Sequence, residues 1–456
     1  MSQEKSEQSR RTQQVPMAQI NLDAAGLDIG ASEIWACVPA DRDEEAVRCF
    51  KTFTPDLHVL ADWLVDCGIT TVAMESTGVY WIPIYEILES RGMQVCLVNA
   101  QATKNVSGRK SDVLDCQWIQ QLHTFGLLAA SFRPPAHICV LRSYVRQRKS
   151  LLQQRAREIQ HMQKALHLMN LKLTTVITDL TGLTGMQIIR AILAGERDPV
   201  ALARLRNSRC KSTEAEIAKA LTGNYQPEHL FALRQAVEGL DFYTGQLTAC
   251  DAEIEAHYAV FQPQVDLLEQ PLPDEKRRPW ANQPNYDLRT HLYLTAGVDL
   301  TAVNGIDVLL AQDILAEIGT DMSKWKTEKH FASWLGLAPN NKSSAGKVFS
   351  RHTRSTANRA ATALRLAAQS VGRSQSSLGA FYRRIKTKHG APVAITATAH
   401  KIARIIYHML KHRTPYIDSG MDAYLTLQRQ RALRSLHRLA HKLGFHVLPD
   451  ALPAVS

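Results

Sequence analysis

A chain of 456 residues, 45% hydrophobic and 21% charged, has room for two or three domains with real cores, and no uncharged apolar run approaches the ~18 to 20 residues that span a bilayer. The formal net charge is +11, but residues 321–450 hold 23 Lys and Arg against 5 Asp and Glu, a balance of +18 that leaves about −7 for the rest. A strongly basic back behind an acidic-to-neutral front favours a polyanionic partner, nucleic acid, over a merely solvated basic face. Cysteines at 37, 49, 67, 96, 116, 139, 210 and 250 form no C-x-x-C pair, which argues against zinc and for a reducing, cytoplasmic protein without disulfides.

Residues 1–20 are polar, include Glu4 and Glu7, and lack the apolar core of a signal peptide, so they read as a disordered tail. Residues 21–133 read as α/β. Two extended pieces around Gly30 within 22–39 predict a hairpin, and 47–53 adds a third strand. Leu57, Leu60 and Leu64 give 56–67 a helical period. Then follow a strand at 70–74, a helix at 82–91 stopped by Gly92, a strand at 94–98 and a helix at 112–125, with Pro134-Pro135 closing the unit. Antiparallel strands first, then alternating strand and helix, is the order expected of a ribonuclease-H-like fold, among several α/β folds that fit.

Residues 134–261 read as helical. A long helix at 138–167 carries Leu141, Tyr144, Val145, Leu151 and Leu152, interleaved with Arg142, Arg146, Arg148, Lys149, Arg155 and Arg157. A second long helix at 230–260 can pair with it as an antiparallel coiled coil; an ordinary helical bundle is the alternative. An extra helical insert lies at about 170–235. Within it, Leu180-Thr181-Gly182-Leu183-Thr184-Gly185 resembles a helix–hairpin–helix turn, whose N–H groups can meet a phosphate. Val303-Asn304-Gly305-Ile306 is a second candidate. For both, a tight interhelical turn without ligand is the favoured reading. Residues 262–292, with Pro263, Pro271, Pro273, Pro279 and Pro284, form the clearest linker. Residues 293–413 are mostly helical with a polar break at 339–355. A helix at 424–443 bears Arg429, Arg431, Arg434 and Arg438, within a final segment 421–456 of helix and tail.

Four carboxylates in the first quarter carry the chemistry: Asp28 in Asp28-Ile29-Gly30, Glu75 in Glu75-Ser76-Thr77-Gly78, and Asp112 with Asp115. The first two end predicted strands, and the last pair shares one side of a predicted helix at i, i+3. Gathered at one sheet edge they would repel unless cations intervened, and hard divalent cations prefer such oxygen ligands. For Asp28 alone, turn capping is the bland reading. For the pair, neutralisation by Arg109 and Lys110 is. An Asp-x-Gly turn also serves actin-like ATPases, but a second such loop and a Gly-rich adenine site are not convincingly present. In the basic part, residues 335–347 form a polar loop with Ser343-Ser344 between Lys342 and Lys347. On spacing alone it reads as a flexible phosphate-contacting loop with ordinary turn serines, although nearby cations can activate a hydroxyl.

Together, the four acids, the Asn99…Lys104…Lys110-Ser111-Asp112 stretch and the motif Phe331-Ala332-Ser333-Trp334-Leu335-Gly336-Leu337-Ala338-Pro339…Ser343-Ser344 resemble the DEDD transposases of insertion sequences. These are the RNA-guided bridge recombinases of insertion-sequence family one-ten, and the pattern resembles its eleven-eleven subgroup. The resemblance implies a RuvC-like (ribonuclease-H-like) domain at 21–133, a coiled-coil middle, and a mainly helical serine transposase domain at 293–420. It implies that Ser344, with Ser343 as runner-up, attacks a DNA phosphodiester and holds the strand as a phosphoserine ester. It implies Mg2+ on Asp28, Glu75, Asp112 and Asp115; Lys104, Lys110, Lys342, Lys347 and Arg351 are the expected nucleic-acid contacts. It also implies a guide noncoding RNA that reads donor and target DNA, and dimers that pair into a tetramer with each site shared between subunits. The 170–235 insert and the Ser-Ala-Gly-Lys sequence of the loop depart from the family pattern.

Three other functions compete. A metal-dependent Holliday-junction-resolvase-like nuclease would leave Ser344 structural. A nucleic-acid scaffold would tolerate loss of Asp112. An actin-like ATPase would hydrolyse nucleotide.

Overall fold

The structure, a computed structural model, describes residues 18–75, 78–99, 112–273, 282–344, 347–350 and 352–448, and divides into the units Met1–Arg133 and Pro134–Ser456. Most of the predicted N-terminal tail (1–17) lies outside the described residues, as do Ser76, Thr77, Lys104, Arg109, Lys110, Ser111, Arg351, Pro279 and the last eight residues.

The N-terminal unit is built on one mixed sheet. Strand β1 (Ala24–Ile29) pairs antiparallel with β2 (Glu33–Cys37), which pairs antiparallel with β3 (Val47–Lys51). On its other side β1 pairs in parallel with β4 (Thr71–Glu75), and β4 with β5 (Gln94–Val98). The order β3-β2-β1-β4-β5 is that of a ribonuclease-H-like fold. Helices α1 (Thr54–Asp66) and α2 (Trp81–Ser90) lead into β4 and β5. Period-2 alternation in the strands turns Leu27, Ile29, Val72 and Met74 toward Leu57, Leu60 and Leu64 of α1 and Ile84 and Leu88 of α2, forming one core.

The opposite face of the sheet receives α3 (Asp112–Thr124). Gly26 makes this possible, because a Cβ there would fall 2.4 Å from the Cys116 carbonyl oxygen and 2.3 Å from the Gln120 nitrogen. Gln120 Nε2 donates to Ala24 O at 3.3 Å, and Thr124 O accepts from Ile20 N at 2.8 Å. Helix α3 therefore runs antiparallel to β1, with its first turn at the carboxyl end of that strand.

The C-terminal unit is helical apart from one hairpin. Its longest elements are α4 (Ala136–Leu168) and, after the short helices α5 (Leu173–Val176), α6 (Leu183–Ala194), α7 (Pro199–Ala203) and α8 (Glu214–Leu221), α9 (Pro227–Tyr258). Helices α4 and α9 lie antiparallel: the His257 ring approaches His137 O at 2.8 Å, while Glu158 sits beside Gly239. The four short helices share a core with α4 and α9 through Met162, Leu166, Ile188, Ile192, Leu233 and Val237. Both glycine turns are close packing contacts. Gly185 lies inside α6, where a Cβ would stand 2.1 Å from Leu180 O, and Gly305 (φ +91) would meet Ala367 O at 2.5 Å.

Then follow α10 (Leu288–Ala296), a 3-10 turn at Leu300–Ala302, α11 (Val308–Ile318) and α12 (Glu328–Trp334). The described part of the Pro-rich stretch is tied to α10: Gln264 N donates to Leu294 O at 2.8 Å and Arg289 Nη1 to Pro273 O at 2.8 Å. Several basic residues of α4 are occupied within the fold. Arg142 Nη2 donates to Glu317 O at 2.7 Å, capping the carbonyl end of α11, and Arg146 makes a two-point pair with the Glu317 carboxylate at 2.9 and 2.8 Å. Arg148 pairs with Asp251 and donates to Asn282 O at 2.8 Å.

The polar break expected to be a flexible loop is instead a two-stranded hairpin, β6 (Lys342–Ser344) and β7 (Lys347–Ser350). Helices α13 (Arg359–Val371), α14 (Ser377–His389) and α15 (Ala391–His412) follow it and pack on one another, and α16 (Gly420–Lys442) is the last described helix, with only Tyr424 buried.

Candidate active site

Two strand ends and one helix start place the four acids along one edge of the sheet. The β1–β4 register pairs Leu27 with Met74, so Asp28 and Glu75 stand one step further on, at the same level of adjacent parallel strands. Leu27 and Met74 face the α1–α2 core, so alternation turns Asp28 and Glu75 to the face covered by α3. Both carboxylates are half-buried, as is Asp115. Cys116 lies over Gly26, two residues before Asp28, so the first turn of α3 carries Asp112 and Asp115 toward the same edge. Electrostatics agree with this proximity. Contact with the Cys37 thiol and burial push the Cys116 thiol pKa up, and the negative charge of Asp28 adds to that rise.

Asp112 is placed by its backbone as the first residue of α3. Among the described residues no group of three or more His, Cys, Asp and Glu is gathered tightly enough to hold a metal ion. The donor chemistry nonetheless fits Mg2+: the side chains at this edge are carboxylates, hard oxygen donors without imidazole. Cys116, the nearest thiol, donates instead to Val113 O at 3.2 Å.

The serines sit on the hairpin. Register pairs Ser344 with Lys347 and Ser343 with Val348, and all four are exposed. Directly opposed residues share a face, so Ser344 shares its face with Lys347, while Ser343 shares its face with Val348. Lys342 is exposed on the same strand.

The segment before the hairpin fixes its base. Trp325, Phe331, Trp334 and Tyr407 form an aromatic cluster, with Trp325 and Phe331 centroids 4.9 Å apart and Tyr407 Oη donating to Trp325 O at 2.8 Å. Gly336 (φ +67) packs against Thr356, whose hydroxyl donates to Leu335 O at 3.3 Å. A bridge between Pro339 and Thr353, with Asn340 N donating to His352 O at 3.0 Å, then starts the hairpin. The Gly-Leu-Ala-Pro segment is thus a clamp.

Two further features shape this region. The first is Gly26, a glycine inside a strand, where close backbone approach is a standard cause. The second is charge distribution at finer scale. From Lys329 to Ile417 there are 16 Lys and Arg and no Asp or Glu, so the hairpin and α13 to α15 contain no carboxylate side chain. Elements without carboxylates are poor hosts for a hard cation and suit a polyanion.

A ribonuclease-H-like sheet with acids at its strand ends, followed in the chain by a basic helical unit, defines a class of enzymes that act on nucleic acid. A family model for IS110 DEDD proteins, described as "Transposase", matches residues 25–171, and one described as "Transposase IS116/IS110/IS902 family" matches residues 299–383. The chain belongs to the IS110 family of DEDD transposases of insertion sequences. The first match spans all four acids and the second spans the hairpin serines. No curated protein matches the chain. No helix among the described residues is long and apolar enough to cross a membrane.

Proposed function

We propose that this transposase is RNA-guided and cuts and rejoins DNA through a phosphoserine ester on Ser344, with Mg2+ held by Asp28, Glu75, Asp112 and Asp115. The observation that carries the serine assignment is the hairpin register, which gives Ser344 and Lys347 one exposed face in a carboxylate-free region.

Ser344 Oγ loses its proton and bonds to phosphorus as the bond from phosphorus to the leaving sugar oxygen breaks. That oxygen takes up a proton. A hydroxyl from a second strand then attacks the phosphoserine, reseals the backbone and returns a proton to Ser344. Two ester bonds are exchanged in turn, so no nucleotide triphosphate is needed. Lys347 and Lys342 attract the phosphate and offset charge on the attacking oxygen. Mg2+, when bound, supplies Lewis-acid stabilisation of the phosphate oxygens. The carboxylates orient that charge and keep it at the sheet edge.

A guide RNA from the element reads donor and target DNA by base pairing, which leaves the protein to grip backbones. The acid-free stretch suits that division of labour. Homodimers pairing into tetramers would bring two DNA molecules together, in the cytoplasm of a bacterial cell.

Denaturing electrophoresis of cleavage reactions tests the chemistry. Wild type and Ser343→Ala are expected to leave protein covalently attached to labelled DNA, and Ser344→Ala to leave neither adduct nor cleaved strand. Full cleavage by Ser344→Ala would support the metal-nuclease alternative. RNA guidance is checked by asking whether transcripts of the noncoding DNA flanking the reading frame bind the protein and redirect cutting when their sequence is changed.

A further inference from the structure

We infer that the cavity at the base of the β6–β7 hairpin holds an unstacked nucleobase of the DNA strand on which the serine acts. The cavity, of about 570 Å3, is walled by Leu337 and Pro339 before the hairpin, His352 after it, Phe381 of α14, and Val393 and His400 of α15. That volume lies within the usual range for small-ligand sites and accommodates a base with its sugar.

Its chemistry is that of a base site. Apolar and aromatic walls offer a stacking surface, and no charged side chain lines it. Two imidazoles supply donors and acceptors for a base edge. Burial, reinforced by Arg404 and only partly opposed by Glu328, holds the His400 pKa below its ordinary value, which leaves that ring neutral at neutral pH. Cations surround the aromatic wall. Lys401 Nζ lies 5.0 Å and the Arg384 guanidinium 5.6 Å from the Phe381 ring centroid. An apolar slot whose lining carries no carboxylate, on elements rich in Lys and Arg, is matched by a base on a phosphate backbone; Glu328 nearby is already paired with Arg404 at 3.1 Å, so it gives a peptide or a second copy of this basic surface no comparable attraction.

Position connects the cavity with the chemistry. Ser344 lies five residues beyond Pro339, no more than about 17 Å along an extended strand. A base seated in the cavity would therefore fix the strand within a few nucleotides of the attacked phosphate. This role rests on Ser344 being the nucleophile; occupancy of the cavity by a base does not.

Fluorescence anisotropy of the full chain with two single-stranded probes of equal length, oligo-dT and a fully abasic oligonucleotide, separates base from phosphate binding. Wild type is expected to bind oligo-dT at least about fivefold more tightly than the abasic strand. Val393→Trp places a large ring in the cavity from a side chain that is 49% exposed, so folding should be tolerated. It is expected to bring the ratio near one while abasic binding is unchanged, which also serves as the folding control. Phe381→Ala provides a second variant and should lower the ratio. A wild-type ratio near one, or a ratio insensitive to both variants, overturns the proposal. An insensitive ratio with an altered oligomeric state would assign the cavity to a protein contact instead. Failure to trap a Ser344 adduct sinks the serine chemistry without touching this ratio.

Discussion

Gly26 on β1 and Cys116 on α3 are in direct backbone contact: a methyl group at position 26 would stand 2.4 Å from the Cys116 carbonyl oxygen. The contact sets how closely α3, and with it Asp112 and Asp115, approaches the strand end that carries Asp28. Gly26→Ala should push α3 off the sheet. The expected cost is about 1–3 kcal/mol, as for overpacking a tight interior, read as a lower denaturation midpoint. DNA cleavage should fall further than the unfolded fraction explains, because the displacement separates the carboxylates.

Asp115→Asn keeps the shape of the side chain and removes a charge from the first turn of α3. On the proposed mechanism, cleavage falls by at least about a hundredfold, as for loss of a main electrostatic stabiliser. Isothermal titration should show weaker Mg2+ binding, while RNA binding is retained. Cleavage at the wild-type rate would remove Asp115 from the metal set.

Asp43 joins three groups between β2 and β3. It accepts from Trp63 Nε1 at 2.9 Å, Arg48 Nη2 at 2.9 Å and Glu45 N at 2.8 Å. The Trp63 hydrogen bond, followed by the Glu45 amide, lowers its pKa below the ordinary 3.8. A depressed carboxyl contributes stability above its unfolded pKa and loses it as the pH falls through the folded one. Wild type should therefore be more stable than Asp43→Ala at neutral pH. The thermal-unfolding difference between them should shrink as the pH drops below about 4.

Lys149 Nζ lies 2.6 Å from Asp313 Oδ2, linking α4 to α11, and the Asp313 side chain is only 15% exposed. Burial raises the Asp313 pKa, and Lys149 opposes that rise. Lys149→Met should strand the carboxylate and cost about 1–2 kcal/mol at neutral pH, below the full value for a buried pair because Lys149 is half exposed. A carboxyl with a raised folded pKa binds its proton more tightly when folded. The deficit should therefore diminish as the pH falls through that value, which denaturant midpoints at several pH values will show.

Thr398 of α15 is fully buried, and its hydroxyl has no hydrogen-bond partner among the described residues. Thr398→Val keeps the shape and removes the unsatisfied group. Stability should rise by about 1 kcal/mol with DNA binding unchanged, measured by chemical denaturation and anisotropy.

Much of the N-terminal unit was legible in the residues. Its strands are short apolar runs and its helices carry a clear period, as at Leu57, Leu60 and Leu64, so element type and order could be read locally. The hairpin was not legible. Strands of three and four residues, Lys342–Ser344 and Lys347–Ser350, are almost wholly exposed and bury no alternating face, so they carry no period-2 signal. The basic residues of α4 were visible, but not that Arg142, Arg146 and Arg148 are committed to Glu317 and Asp251, whose partners lie more than 100 residues away.

By itself the sequence determined the identity and order of the four acids, the Ser343-Ser344 pair and the uneven charge, because these are local and compositional properties. Tertiary structure alone decided that Asp28 and Glu75 stand level on parallel strands, that Gly26 admits α3, that Ser344 rather than Ser343 shares a face with Lys347, and that α14 and α15 wall a cavity at the base of the hairpin. The reason is physical. Backbone periodicity is written within a few residues, whereas register, face and close approach depend on groups the chain brings together from far apart.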